Sequence, residues 1–325
     1  MDLEVIHNDH VNRPKVRIVV MTQQQDLYTY AVDPASIPKG LSLLAGFSGF
    51  TDAGHVLTQM SDHIFSSLAH ELVLRFNNDD LLDYRSRRPV MYFERDHIAD
   101  YEPATLGLYL VHDEANQPFL YLHGYEPDFR WENFTVAVQE IVEDLAVKDF
   151  TWVNAIPFPV PHTKPVGVTV SGNRADIIAS VSEWKPQTQV PGNVLHLIEF
   201  KLSAIDLPIA GLVMLVPHYL SDTDYPQAAV KAFEQVSAAT GLVFPTDSLR
   251  ELGDVVLGKI NEQVEKNEDL AKMISALEAG YGSESSGPIR APMVKPESRI
   301  PSAEEIAEEL ESYLANRRKN SADED

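Results

Sequence analysis

Cysteine is absent from this sequence of 325 residues, and basic residues are scarce. Without a thiol the chain has no disulfide framework, no thiolate nucleophile and no cysteine-ligated zinc or iron–sulfur site. Its 26 Lys and Arg stand against 49 Asp and Glu, which gives a formal net charge of −23. Nonspecific nucleic-acid binding requires cations that neutralise phosphates, so we expect no nucleic-acid partner.

Long apolar runs are also lacking. The longest, over about 207–216, is shorter than the ~20 residues that span a bilayer, and it predicts a buried strand. The N-terminal residues Met1–Glu4 are acidic, and no apolar region typical of a secretory signal follows them. We therefore expect no membrane association and a cytoplasmic location.

The common cofactor motifs are missing. The phosphate-binding patterns G-x-G-x-x-G and G-K-[ST] do not occur, and neither does the zinc-binding pattern H-E-x-x-H. His7, Asp9 and His10 are close enough in sequence to chelate a metal, but they lie in a polar N-terminal arm that we interpret as solvated. We expect no cofactor and no metal site.

Short apolar runs alternate with helical patterns over the first 250 residues. Runs such as Leu41–Ala45 are apolar on both faces, which is typical of strands that helices cover on both sides. Turn-forming residues between 111 and 119 predict a hairpin, so the sheet is expected to be mixed. The predicted strands are Val16–Met21, Leu41–Phe47, Glu71–Phe76, Val90–Phe93, Leu106–Val111, Phe119–His123, Phe150–Ala155, Val166–Val170 and Leu207–Val216.

Helical stripes separate these strands, and several have recognisable ends. Asn193 is placed to cap the helix that follows it, and Gly241 is placed to end a later one. A longer helix is predicted over about 248–277, where Ser248 and Glu251 have the spacing of a capping box.

The C-terminal quarter of the chain differs in composition from the rest. Its last helix either docks on its own domain or reaches a neighbouring subunit or partner, and the sequence permits both. The predicted organisation is an N-terminal arm (1–14), an α/β/α core domain (15–247), a helical extension (248–281), a Pro/Ser-rich linker (282–301) and a C-terminal helix with an acidic tail (302–325).

Gly46-Phe47-Ser48-Gly49-Phe50 lies between a predicted strand and a predicted helix. The nucleophile elbow of serine hydrolases occupies such a place, but it requires Gly where Phe50 stands. A tight glycine-rich turn is the second interpretation, and an anion-binding loop at the helix start is the third. Asp52 argues against a phosphate there.

An unusual charged segment precedes the fourth predicted strand. Its candidate ligand or interface residues are Asp80, Asp83, Arg85, Arg87 and Arg88. Arginine forks suit carboxylate and phosphate groups, so a small anion site is one interpretation. Pairing of these arginines with the nearby aspartates, or with another subunit, is the other. A charge-paired interface between subunits would make association depend on salt.

Two further segments follow predicted strands, where open α/β sheets usually bind ligands. Glu126, Asp128 and Arg130 lie in the first, and we expect them to face a crevice at the strand ends. The second contains four prolines within 157–165 and carries His162. It either presents His162 to the crevice or shapes an exposed interaction loop.

These segments together resemble the proteasome assembly chaperone 2 family, in particular its actinobacterial branch. The resemblance covers about residues 15–265 and depends on four segments in order: Gly46–Gly54, Asp79–Pro89, Gly124–Trp131 and Pro157–Gly167. It implies a three-layer α/β/α sandwich with a mixed sheet, similar to the phosphorylase/hydrolase-like fold. It also implies a homo-oligomer, with a trimer as the first expectation, and no established catalytic residues.

The resemblance favours a non-enzymatic oligomeric protein that acts through protein–protein contacts, with itself and with proteasome subunits or another protein as partners. The alternative is an enzyme or small-ligand-binding protein that acts on nucleoside-like or phosphorylated molecules at a strand-end crevice. A third interpretation is an oligomeric scaffold whose C-terminal helix recruits partners.

Overall fold

The computed structural model describes residues 27–183, 187 and 189–281. Within this part, ten strands, eight α-helices and three short 3-10 helices are present. Several predictions lie outside the described residues: the N-terminal arm (1–14) with His7, Asp9 and His10, the strand Val16–Met21, the linker (282–301) and the C-terminal helix (302–325). The strands are β1 (Tyr28–Tyr30), β2 (Ser42–Ser48), β3 (His70–Phe76), β4 (Val90–Glu94), β5 (His97–Glu102), β6 (Gly107–His112), β7 (Pro118–Tyr125), β8 (Asp149–Phe158), β9 (Gly167–Gly172) and β10 (Ile209–Pro217).

Eight of these strands form one sheet in the order β1-β3-β6-β7-β2-β8-β10-β9. The four strands β7, β2, β8 and β10 run parallel, and the remaining neighbours are antiparallel. The predicted hairpin is confirmed as β6 and β7, and the mixed sheet is confirmed with it. All nine residues of β10 are buried, because helices cover both faces of the parallel region.

Helices pack on both faces of the sheet and bury two apolar clusters. One cluster joins α3 and α5 to the sheet around Phe134, Phe150 and Ile198. The other joins α1 and α6 to the opposite face around Met60 and Phe233. The fold is therefore the expected three-layer α/β sandwich. The helices are α1 (Val56–Ser67), α2 (Asn78–Leu81), α3 (Trp131–Asp144), α4 (Ala175–Val181), α5 (Val194–Leu202), α6 (Pro226–Thr240), α7 (Asp247–Lys266) and α8 (Glu268–Gly280).

Two predicted helix ends are confirmed. The Asn193 side chain accepts a hydrogen bond from the His196 amide at 2.9 Å, and the His196 ring bonds back to the Asn193 amide, which closes a capping box at α5. Gly241 follows α6 with a φ of +78°, and its N–H bonds to the Ser237 carbonyl at 2.8 Å.

The long helix predicted over 248–277 is wrong in one respect: it is two helices. Asn267 interrupts it, and its side chain accepts hydrogen bonds from the Asp269 and Leu270 amides, so it caps α8. The capping box predicted for Ser248 and Glu251 is also wrong. The helix begins one residue earlier, at Asp247, and its N-cap position makes no side-chain capping bond.

The predicted strand Val90–Phe93 exists but lies outside the main sheet. It forms β4, which pairs only with β5 in a separate two-stranded hairpin. Every residue of β4 and β5 is exposed. An apolar run therefore marks a strand here without marking a buried one.

No helix within the described residues is long and apolar enough to cross a membrane.

Candidate functional site

The four parallel strands end at one edge of the sheet, and two of the three predicted segments meet there. The Asp83 amide donates to the Asp128 carboxylate at 2.8 Å. In return the Asp128 amide donates to the Leu81 carbonyl at 2.8 Å. These two bonds join the charged segment that contains α2 to the loop after β7.

The charges of these two segments pair with each other. One guanidinium nitrogen of Arg87 donates to the Glu126 carbonyl at 2.7 Å, and the other lies 3.2 Å from the Asp128 carboxylate. The Arg87 guanidinium also lies 5.5 Å from the centre of the Tyr125 ring. Arg130, at the start of α3, forms an ion pair with Asp80. Arg87 therefore pairs with groups of its own chain.

Arg85 and Arg88 differ from Arg87. Both are exposed, and neither makes an ion pair with any acid that the structure describes. Asp83 accepts from the Arg85 backbone amide at 2.9 Å, so this contact leaves the Arg85 guanidinium unused. The predicted arginine cluster is therefore one structural arginine and two exposed cations.

Glu126 connects the strand ends to α5. Its amide donates to the Ser48 carbonyl at 2.7 Å, and its carboxylate accepts from the Val194 amide at 2.8 Å. Burial raises the pKa of the Glu126 carboxyl, although the Val194 bond opposes this change. The carboxylate occupies the place at the start of α5 where an external anion would bind.

The turn after β2 is filled in a similar way. The Asp52 carboxylate accepts from the Leu57 amide at 2.7 Å and from the Thr58 amide at 3.0 Å, so it caps α1. The Ser48 hydroxyl donates to the Gly124 carbonyl at 3.3 Å, which is a contact to backbone and not to a catalytic base. This geometry favours the tight-turn interpretation over a nucleophile or an anion loop.

His162 does not join the other two segments. It is buried, with one ring nitrogen 2.7 Å from the Tyr219 hydroxyl and the other 3.1 Å from the Asn261 side-chain oxygen. The neighbouring Thr163 hydroxyl donates to Glu278 in α8. The proline-rich loop therefore faces α7 and α8. Of the two interpretations of this segment, the one in which His162 faces the crevice does not fit these contacts.

A small pocket remains at the strand ends. Its volume is about 190 Å³, including the part that is open to solvent. Usual ligand sites are larger, at ≈ 300–1,000 Å³. Asn154 lies in it with 3% of its surface exposed. The pocket is lined by Phe47, Phe50, Glu126, Asn154, Asn193 and Leu195.

No group of three or more metal-binding side chains occurs in residues 27–183 and 189–281.

The β4–β5 hairpin is the surface that the sequence reading missed. Six large apolar side chains lie exposed on it, and they are Val90, Met91, Tyr92, Phe93, Ile98 and Tyr101. The available signal was the flanking charge: arginines precede the apolar run, and Glu94, Arg95 and Asp96 follow it. Such flanks are more typical of a projecting hairpin than of a strand at the centre of a sheet.

We expect Arg87→Ala to lower the free energy of unfolding by about 2 kcal/mol, because a half-buried carboxylate and a backbone carbonyl both lose a charged donor. Urea denaturation measures this value. Arg88→Ala is the matched control and is expected to change stability by less than about 0.5 kcal/mol. Equal losses in the two variants would contradict the assigned difference between these arginines.

Comparisons with known proteins agree on one family. The family model described as PAC2 family matches residues 46–264. None of the curated proteins matches the chain. The structure is similar to that of a protein of unknown function from Corynebacterium glutamicum, with 34% identity, coverage of 80% of this chain and 98% of the other, and a TM-score of 0.74.

Two structures from Mycobacterium tuberculosis are also similar. A protein of unknown function is 36% identical, with coverage of 79% of this chain and 91% of its own and a TM-score of 0.74. A proteasome-assembly chaperone homologue is 19% identical, with coverage of 72% and 100% and a TM-score of 0.66, which shows the shared fold. With the model match spanning most of the chain, this protein belongs to the PAC2 family.

Proposed function

We propose that this protein is a non-enzymatic, self-associating factor of the proteasome-assembly-chaperone type that acts through protein–protein contacts. One observation carries the proposal: the strand-end edge, where open α/β sheets usually bind ligands, is occupied by the chain's own paired side chains except for one small pocket. Arg87 binds Asp128, Arg130 binds Asp80, and Glu126 caps α5.

Binding of a phosphorylated substrate next to these groups is energetically unfavourable. Two helix starts that could bind an anion already hold the carboxylates of Asp52 and Glu126. An incoming phosphate would have to displace a hydrogen-bonded carboxylate and approach like charge. The site geometry therefore supports a structural use of these residues over phosphate chemistry.

The proposed partners are a second copy of this chain, with a trimer as the first assembly to test, and subunits of the proteasome. The second partner is suggested by the Mycobacterium tuberculosis homologue, which is described as a proteasome-assembly chaperone homologue. We propose the cytoplasm as the site of action.

Purified full-length protein mixed with unassembled proteasome subunits of its own organism tests the proposal. Native mass spectrometry is expected to show a stoichiometric complex with these subunits, and a faster assembly of rings. Absence of a complex, together with an unchanged assembly rate, would overturn the chaperone role.

The pocket around Asn154 favours a second candidate, a small uncharged ligand with hydrogen-bonding groups, of which a nucleoside is an example. The Asn154 amide offers a hydrogen-bond donor and an acceptor, and Phe47 and Phe50 beside it suit a flat ring. In a second arm of the same experiment, thermal shifts with nucleosides and sugar phosphates are measured. If a nucleoside raises the melting temperature of the wild type but not that of the Asn154→Leu variant, the result would favour the ligand-binding function over the chaperone function.

A further inference from the structure

The small pocket at the strand ends contains a carboxylate that the rest of this edge leaves unneutralised. Glu126 is partly buried, and one of its carboxylate oxygens accepts from the Val194 amide at 2.8 Å. Within the described part of the chain, Glu126 forms no ion pair. A partly buried carboxylate without a cation is unfavourable, and burial raises the pKa of this carboxyl accordingly. The pocket therefore lacks a positive group that an external molecule can supply.

The arginines that form ion pairs at this edge do not supply that positive charge. Arg87 donates to the backbone carbonyl of Glu126 at 2.7 Å, and its other nitrogen lies 3.2 Å from the Asp128 carboxylate. Arg130 is paired with Asp80. Arg87 lowers the pKa of Glu126, but this effect is smaller than that of burial. Both guanidinium groups are thus used elsewhere, and the pocket keeps its negative charge.

The other groups that line the pocket suit a guanidinium. Phe47 and Phe50 contribute aromatic rings, on which arginine side chains stack. Asn154 and Asn193 contribute side-chain oxygens, which accept hydrogen bonds from N–H groups. The Asn193 oxygen accepts from a backbone amide of α5 at 2.9 Å, which fixes its position and leaves its second lone pair. A planar cation with several N–H donors matches this combination of carboxylate, amide oxygens and rings.

The turn that carries Phe50 is held in an unusual conformation. Thr51 has a φ of +41°, which is uncommon for a β-branched residue. A backbone bridge pairs Asp52 with Ala155, the residue that follows Asn154. Strained backbone of this kind persists where the surrounding structure holds it, and it clusters at functional sites. The turn is therefore fixed against β8 and holds Phe50 at the pocket before a partner binds.

The size of the pocket limits what can enter it. Its volume of about 190 Å³ is below the ≈ 300–1,000 Å³ of usual ligand sites. A single side chain suits such a space better than a whole drug-sized molecule does. Interfaces between proteins use small pockets for anchor side chains, and arginine is one of the residue types enriched among these anchors.

The charge of the chain favours a basic partner. A net charge of −23 attracts basic surfaces and speeds their association with this protein. An acidic segment would instead approach the carboxylates of Asp52, Glu126 and Asp128 at this edge. These charges select a partner that presents an exposed arginine.

We propose that the pocket lined by Glu126 and Asn154 receives one arginine side chain from a basic segment of a protein partner. The guanidinium donates to the Glu126 carboxylate and to the side-chain oxygens of Asn154 and Asn193. Its flat faces pack against Phe47 and Phe50. This inference rests on the protein–protein role proposed above, and it names the surface that is used and the chemistry of the partner.

Titration of the full-length protein with the peptide acetyl-Gly-Arg-Gly-amide tests the assignment. In proton–nitrogen NMR spectra, the side-chain amide signals of Asn154 and Asn193 are expected to shift with this peptide. The matched peptide contains citrulline, which keeps the shape of arginine without its charge, and it is expected to bind about 10-fold more weakly or less. Equal shifts with both peptides, or no shift with either, would overturn the arginine assignment.

Two substitutions separate the charge of the pocket from the stability of the fold. Glu126→Gln keeps an acceptor for the Val194 amide but removes the charge, and it is expected to weaken binding of the arginine peptide by about 10-fold or more. Its free energy of unfolding is expected to equal or exceed that of the wild type, because an unpaired carboxylate is removed. Glu140→Gln removes the same charge at an exposed position of α3 and is expected to leave the affinity unchanged. Equal affinities of the three proteins would overturn the proposal.

The complex with proteasome subunits provides a second arm. Glu126→Gln is expected to raise the dissociation constant of this complex by about 10-fold or more, whereas Glu140→Gln is not. A complex that Glu126→Gln leaves unchanged would overturn docking at this pocket. Absence of a complex with the wild type would overturn the chaperone role alone, since the peptide titration still decides what the pocket binds. A nucleoside that shifts the Asn154 signal when the arginine peptide does not would identify a different occupant and overturn the inference.

Discussion

Replacing Gly124 by alanine is expected to lower the free energy of unfolding by about 4 kcal/mol. The φ angle of Gly124 is +147°, which side chains rarely tolerate. An added Cβ would lie 2.3 Å from the Thr105 carbonyl oxygen and 2.6 Å from the Leu106 Cα. Both are backbone atoms, so the clash requires movement of the chain that leads into β6.

Two other glycines allow the effect of the positive φ angle to be measured separately from the effect of the clash. Gly241 has a φ of +78° but open space around it, so Gly241→Ala is expected to cost only about 1 kcal/mol. Gly192 has open space and no positive φ, and Gly192→Ala is expected to change stability by less than about 0.5 kcal/mol. Chemical denaturation of the three variants measures the series. A loss for Gly124→Ala no larger than that for Gly241→Ala would contradict the predicted clash.

Acidification is expected to destabilise the protein through His123, by about 3 kcal/mol between pH 6.5 and pH 4. Burial lowers the pKa of His123 to about 4 from its ordinary value of 6.5, and a bond to the Gly46 carbonyl opposes this only in part. Between these values the unfolded chain binds a proton that the folded chain does not. The contribution of His123 to the free energy of unfolding is therefore fully present above pH 6.5 and is lost as the pH drops toward 4.

The His123→Phe variant isolates this contribution from the many carboxylates that titrate over the same range. Its ring keeps contact with the neighbouring Phe65, whose ring centre lies 5.4 Å from that of His123. Urea denaturation at several pH values is expected to show a smaller acid loss in this variant than in the wild type, by about 3 kcal/mol at pH 4. Parallel curves for the two proteins would refute the role of His123.

Much of the sheet could be predicted from local sequence, because a strand covered on both faces is apolar at consecutive positions. β2 and β10 are of this type and were found with boundaries close to those observed. The ends of α5 and α6 were also predictable, since Asn193 and Gly241 act through contacts within a few residues.

The hairpin of β4 and β5 shows where this reasoning stops. Its run of apolar residues has the same local pattern as a buried strand, and burial depends on which surfaces the rest of the chain brings to it. The long helical stretch, by contrast, does contain a sequence signal for the break between α7 and α8. Asn267 followed by two acids is a helix start, and the apolar stripe that continues across it concealed the break.

The candidate site was predictable in part for a topological reason. Parallel neighbouring strands end at one edge, so the segment after β7 had to lie near the other strand ends. The pairing of Arg87 with Asp128 joins residues 41 positions apart, and the contact of His162 with Asn261 joins residues 99 apart. Neither pairing has a local sequence signal, because each depends on how whole elements pack.

The position of β2 in the sheet has a consequence for synthesis. β2 lies between β7 and β8, so Leu43 pairs with Leu120 on one side and with Phe150 on the other. A ribosome that adds about 5–20 residues per second needs roughly 5–20 s to pass from the first of these strands to the last. During this time one of the most apolar strands of the protein lacks at least one of its two partners, and the centre of the sheet forms only after nearly half of the chain has emerged.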